Sequence, residues 1–183
     1  MRKGLSAWLF SKMVMLAFLL IVFSIMGGFL TILNERAFND SASIFCLQVR
    51  EFVSGVVNSN VIGMQKVLPI PKVLPYSESP NKRMYYLVIS YNSSNPPFIS
   101  FAVTHDLLHK NVFVSSALLY LPSVVSLSTT DFYIDSGVYR YLIIQKEGGD
   151  LSLFACRGMT SMRFINCLSG RNPTGAEVNV TRI

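Results

Sequence analysis

Charge is what this sequence has least of. Asp, Glu, Lys and Arg make up 14% of its 183 residues, against about 25% in an ordinary water-soluble domain. With 51% hydrophobic residues as well, part of the chain is expected to sit in lipid. Histidine is nearly missing: the only two are in HDLLH at 105–109, which leaves a Ser-His-Asp or Cys-His centre little to be built from. Cysteine occurs three times with no C-x2-C pair, so no zinc site is expected. No serine sits in a G-x-S-x-G elbow, and no glycine-rich phosphate loop occurs. The 16 Lys and Arg outnumber the 10 Asp and Glu, but they are scattered, with no basic stripe interleaved with aromatics, which argues against nucleic acid as a partner. Aromatics reach 12%, too many for a disordered chain. Binding or assembly is expected, without catalysis, cofactor or metal.

What is present begins with one long apolar run. Residues 13–33, MVMLAFLLIVFSIMGGFLTIL, carry no charge; at about 1.5 Å per residue they span a hydrocarbon core of about 30 Å. This is read as a membrane helix that stays attached, because a cleavable secretory signal has a shorter apolar stretch and a small-residue cleavage site. Arg2, Lys3 and Lys12 precede the run, and Glu35, Arg36 and Asp40 follow it without a positive excess. The expected topology is single-pass, with a cytoplasmic N-terminus and an extracytoplasmic remainder. Trp8, Phe10 and Lys12 suit the headgroup level, the lysine snorkelling. Gly27 and Gly28 lack the spacing of a helix-dimer motif.

From 34 to 62 the apolar positions Ile44, Leu47, Phe52, Val53, Val56 and Val57 fall mostly three or four apart, predicting an amphipathic helix, either continuous with the span or slightly offset from it. Asn58, Asn60 and Gly63 supply the stop. Pro69, Pro71, Pro75 and Pro80 then punctuate 63–83, which reads as an extended connector without a central strand. Runs rich in Val, Ile, Tyr and Phe follow at 84–91, 97–103, 111–120, 139–146 and 151–157, with another at 162–168; these are expected strands. The EGGD tetrad at 147–150 marks a hairpin. A polar tail, 171–183, closes the chain, either loose or as an edge strand.

An antiparallel sheet with one apolar face needs a cover, and the amphipathic stripe needs a surface. The expected fold is therefore α+β: a long N-terminal helix, transmembrane half plus amphipathic half, packed on a mostly antiparallel head sheet of five or six strands. Its divisions are a basic segment 1–12, the membrane helix 13–33, the amphipathic helix 34–62, the connector 63–83, the β domain 84–170 and the tail.

Cys156 and Cys167 each end an apolar run, eleven positions apart, so a turn would bring them together as a disulfide; three free thiols or other pairings are the alternatives. Cys46 would then be a small hydrophobe on the helix. Three N-x-S/T acceptors, at Asn39, Asn92 and Asn179, fall on the expected outer side, whereas Asn172 is followed by Pro173. His105, Asp106 and His109 are compared with the metal motif H-E-x-x-H. They lack the longer Glu base, a third ligand nearby and room for two helical turns between strands, so an exposed loop with two ordinary histidines is expected.

The opening Arg2-Lys3-Gly4-Leu5-Ser6, a basic pair, a glycine and then a hydrophobic helix, resembles the class III signal peptide of archaeal type IV pilins and archaellins. The plan of a long helix carrying a β-rich head with a candidate C-terminal disulfide loop is similar too. The resemblance implies cleavage between Gly4 and Leu5 by prepilin peptidase. It also implies handling by pilus assembly machinery and packing against other pilin-like subunits through the N-terminal helix, in a surface filament with a role in cell adhesion. Two positions depart from the family pattern: Leu9 stands where bacterial pilins carry glutamate, which many archaeal relatives also lack, and Lys12 would lie inside a filament core. Lys12 fits a minor or membrane-retained subunit better than the main filament subunit. The competing expectation is a single-pass protein that never polymerises and binds through its extracytoplasmic β domain. The head loops at 92–97 and 105–111 are the candidate contact regions.

Overall fold

The computed structural model describes residues 2–61, 63–75, 83–105, 115–122, 125–127, 132–159, 163–169 and 177–181. A single helix, α1 (Arg2–Val57), is followed by ten strands: β1 (Met64–Pro69), β2 (Tyr86–Asn92), β3 (Phe98–Thr104), β4 (Ser115–Tyr120), β5 (Ser126–Leu127), β6 (Phe132–Asp135), β7 (Tyr141–Glu147), β8 (Asp150–Met159), β9 (Arg163–Ser169) and β10 (Glu177–Thr181). The chain divides into two compact units, 1–37 and 38–183.

The head is an α+β unit in which the second part of α1 packs on two sheets rather than one. The larger runs β1-β7-β8-β9-β10, with β5 joining β8 in parallel; the smaller runs β4-β3-β2-β6 and is antiparallel throughout. The sequence reading of one five- or six-stranded sheet undercounts because β5 has two residues and β6 four, too few for alternation to register. It also undercounts because β1 lies in the segment read as a connector. Pro69, without an amide hydrogen, ends β1, and β1 is the edge of its sheet, where a missing donor is tolerated. The EGGD hairpin forms as expected: Glu147 pairs with Asp150, and Gly148 turns the corner at a φ of 61°, a left-handed value that glycine adopts without a Cβ clash. The tail supplies β10 on the edge beside β9. Residues 76–82, 111–114, 162 and 171–176, parts of the expected connector, strands and tail, lie outside the described residues.

The helix face that enters the core is Phe38, Ala42, Phe45, Cys46, Val49, Val53, Val56 and Val57, all buried; steps of three and four, with adjacent pairs at 45/46 and 56/57, keep one side of a 3.6-residue turn facing inward. Val53, Val56 and Val57 match the expected stripe, and Phe52 is half-buried against the same cluster. Ile44 and Leu47 do not belong to it: they are 52% and 43% exposed. At 100° per residue they point away from the arc centred on Val49 and Val53, and the more bulky Phe38 and Phe45 claim the buried side. Opposing rows complete the core: Leu87, Ile89, Ile99, Phe101 and Val103 from the smaller sheet, and Leu142, Ile144, Leu151, Leu153 and Ala155 from the larger. Phe45 meets Tyr85 edge to face at 5.5 Å.

Two polar devices fasten the helix end and the proline-rich segment. The Lys146 ammonium donates to the carbonyls of Val57 at 2.8 Å and Ser59 at 2.7 Å, placing a cation on orphan carbonyls at the negative end of the helix dipole. Ser136, fully buried, accepts from the Tyr85 amide through its hydroxyl, which donates to the Lys72 carbonyl, both at 3.0 Å. The Tyr85 hydroxyl donates to Pro71 at 2.9 Å. The carbonyls of Pro71 and Lys72 thus bind the connector to Tyr85 and Ser136, the residues that border β2 and β6.

Phe45→Ala is expected to lower the stability of the head by about 3–5 kcal/mol through the cavity it leaves. Ile44→Ala, one residue away on the open face, is expected to cost less than about 0.5 kcal/mol. Denaturant titration in mild detergent measures both.

Candidate functional site

The feature without an obvious structural explanation is the first part of α1. From Trp8 to Leu33 its only charge is Lys12. Large apolar side chains such as Phe10, Leu16, Leu20, Phe23, Met26 and Phe29 are exposed around the whole circumference. A helix apolar on every side requires an apolar surrounding, and this is one helix long and apolar enough to cross a membrane. Its few polar groups are handled locally. The Thr31 hydroxyl donates to the Gly27 carbonyl at 3.0 Å, four residues back, which satisfies it within the helix. The Lys12 ammonium lies 5.9 Å from the Trp8 ring centroid, inside cation–π range. At Gly27 and Gly28 an added Cβ would meet nothing within 4 Å, so neither glycine is required by a close approach inside the chain. Arg2, Lys3, Gly4 and Leu5 have helical backbone; the description of their side chains does not extend there.

In the head, Asp40, Ile44, Leu47 and Glu51 share the helix face opposite the core, all exposed. Their 4-3-4 spacing sets two apolar side chains between two acidic ones. This surface was missed in the sequence because Ile44 and Leu47 read as core; the acidic pair at the same period was the signal that could have separated them.

The disulfide is present between Cys156 and Cys167. The two residues are direct cross-strand partners of β8 and β9, with Cα atoms 4.0 Å apart, and they are buried beside Ile143 on the side of the larger sheet away from the main core. Cys46, the third cysteine, is a buried thiol of α1. His105 sits at the end of β3 with its ring edge-on to Phe38 at 6.0 Å, an aromatic contact. Asp106 and His109, and with them the rest of HDLLH, lie outside the described residues. Among the described residues no group of three or more His, Cys, Asp or Glu could hold a metal ion. Of the three sequons, Asn39 is inside α1, Asn92 ends β2 at the β2–β3 hairpin, and Asn179 is in β10 at a register irregularity between Val178 and Val180.

Replacing Cys156 and Cys167 together by serine is expected to lower the unfolding free energy by about 3 kcal/mol, the value for closing so short a loop. Non-reducing peptide mapping and thermal denaturation of the oxidised and reduced protein measure it. No protein-family profile, curated protein or solved structure matches this chain.

Proposed function

We propose that the protein is a pilin-like subunit, minor or membrane-retained, of an archaeal type IV pilus-like surface filament. It is anchored and assembled through its N-terminal helix and displays a β-rich head outside the cell. The observation that carries the reading is the division of one continuous helix. Before Phe38 its apolar surface is exposed on every side, and from Phe38 onward one face is consumed by the head. Lateral packing of such helices, or immersion in lipid, removes the same surface from water, so one element can serve first as membrane anchor and then as assembly rod. The opening Arg2-Lys3-Gly4-Leu5 supplies a recognition signal for prepilin peptidase at the cytoplasmic side.

Lys12 favours retention in the membrane. An ammonium packed among helices without a partner costs several kcal/mol. In a bilayer the same side chain, already beside Trp8, reaches the headgroups along its own stem. The exposed Ile44 and Leu47, flanked by Asp40 and Glu51, give the outer half of the helix a further narrow contact strip for a neighbouring subunit of complementary charge.

N-terminal sequencing of the mature protein is expected to begin at Leu5, and Lys3→Glu is expected to block that processing. A mature chain that keeps residues 1–4 would instead favour a single-pass protein that presents its β domain without polymerising.

A further inference from the structure

We infer that Asn92 is the acceptor of an N-linked glycan and that the first sugar packs on the Phe98–Tyr120 ring pair. The inference rests on the extracytoplasmic head of the proposed function for access to the transferring enzyme, but its geometry is independent of filament assembly. Asn92 pairs with Phe98, and Phe98 pairs with Tyr120, so one rung across β2, β3 and β4 carries all three side chains on the same face of the smaller sheet. Neighbours on such a rung have Cβ atoms about 4.5–5.5 Å apart. The two rings meet edge to face with centroids 5.9 Å apart. Tyr120 is 60% exposed, and Leu118, on the same face of β4, is exposed as well. β4 is the edge of its sheet, and an exposed apolar edge strand is a surface that native proteins ordinarily cover. A pyranose fits this place: its axial C–H groups carry partial positive charge that suits the negative face of an aromatic ring, while its hydroxyls stay in water.

The tripeptide is presented as a turn. The Asn92 side-chain oxygen accepts from the Ser94 amide at 2.9 Å, so the atom engaged is Oδ1 and not the nitrogen that would carry the sugar. The Ser94 hydroxyl donates to the Pro96 carbonyl at 3.0 Å, which keeps the hairpin tip compact. Asn39 and Ser41 are held in helical backbone next to buried Phe38, and Asn179 to Thr181 lie in a strand paired with β9. Transfer from a polyprenyl-phosphate-linked glycan would join the anomeric carbon to the Asn92 Nδ2 and break the anomeric C–O bond, whose electron pair leaves with the phosphate. The amide nitrogen gives up one proton to a base of the transferase, and no oxidation or reduction occurs.

The test uses the full chain isolated from the cells that make it. Glycopeptide mass spectrometry is expected to find a sugar mass on Asn92 that Asn92→Gln removes and that Asn39→Gln and Asn179→Gln leave in place. The glycosylated protein is expected to melt about 2–4 °C above Asn92→Gln, a difference that shrinks in Phe98→Ala/Tyr120→Ala and in the milder Tyr120→Ser. An Asn92 peptide without added mass overturns the proposal. A sugar whose removal shifts melting equally with and without the rings overturns the packing. A mature chain starting at Leu5 with bare Asn92 sinks this inference and leaves the pilin reading standing; a chain retaining Met1 with a sugar on Asn92 does the reverse.

Discussion

The head depends on one interaction above all others, the burial of the Phe38 to Val57 face of α1 against the inward rows of two sheets. Helix residues and the inner rows of both sheets form one buried cluster, and a sheet whose inner face met water would forfeit on the order of 25 cal/mol for each Å² exposed. The helix is equally dependent. Its valines at 49, 53, 56 and 57 are weak helix formers by propensity, so this half is held by tertiary packing and by the Lys146 cap. The apolar half has the opposite character. It is rich in Leu, Met and Phe, closes its own backbone hydrogen bonds, and depends on no contact with the head to be helical in lipid.

The features of greatest sequence range were the most legible. An uncharged run at 13–33 has few physical outcomes, and α1 is helical throughout it. Glu147-Gly148-Gly149-Asp150 between two apolar runs could close only as a tight turn, and Cys156 faces Cys167 because β8 and β9 are successive antiparallel strands. The less legible features are those where two faces compete. Ile44 and Leu47 are as apolar as the residues that are buried, and the choice between the two helix faces is made by Phe38 and Phe45, whose larger rings are buried against His105 and Tyr85. The partition into two sheets was not readable, because inward and outward alternation in β2 and β3 is blurred by Val88 and Ala102, apolar and buried on the outer side. β1 was hidden by prolines that stop a ladder only when they must donate.

Of the candidate surfaces, the uncharged helix was legible in the sequence and the face of the head was not. The rung that sets Asn92 beside Phe98 and Tyr120 depends on strand register, which only the folded hairpin and its partner β4 establish. Sequence separation conceals such neighbours: Asn92 and Tyr120 belong to β2 and β4, strands that meet only through β3.

The bond from Lys146 to the end of α1 joins groups 89 positions apart. At ribosomal speeds of about 5–20 residues per second, the finished rod waits roughly 4–18 seconds for its clasp to be synthesised. During that interval the valine-lined side of the outer half has no sheet over it, while the oily portion upstream is already complete. The order of manufacture therefore leaves the end of α1 without its clasp until β7 has been made.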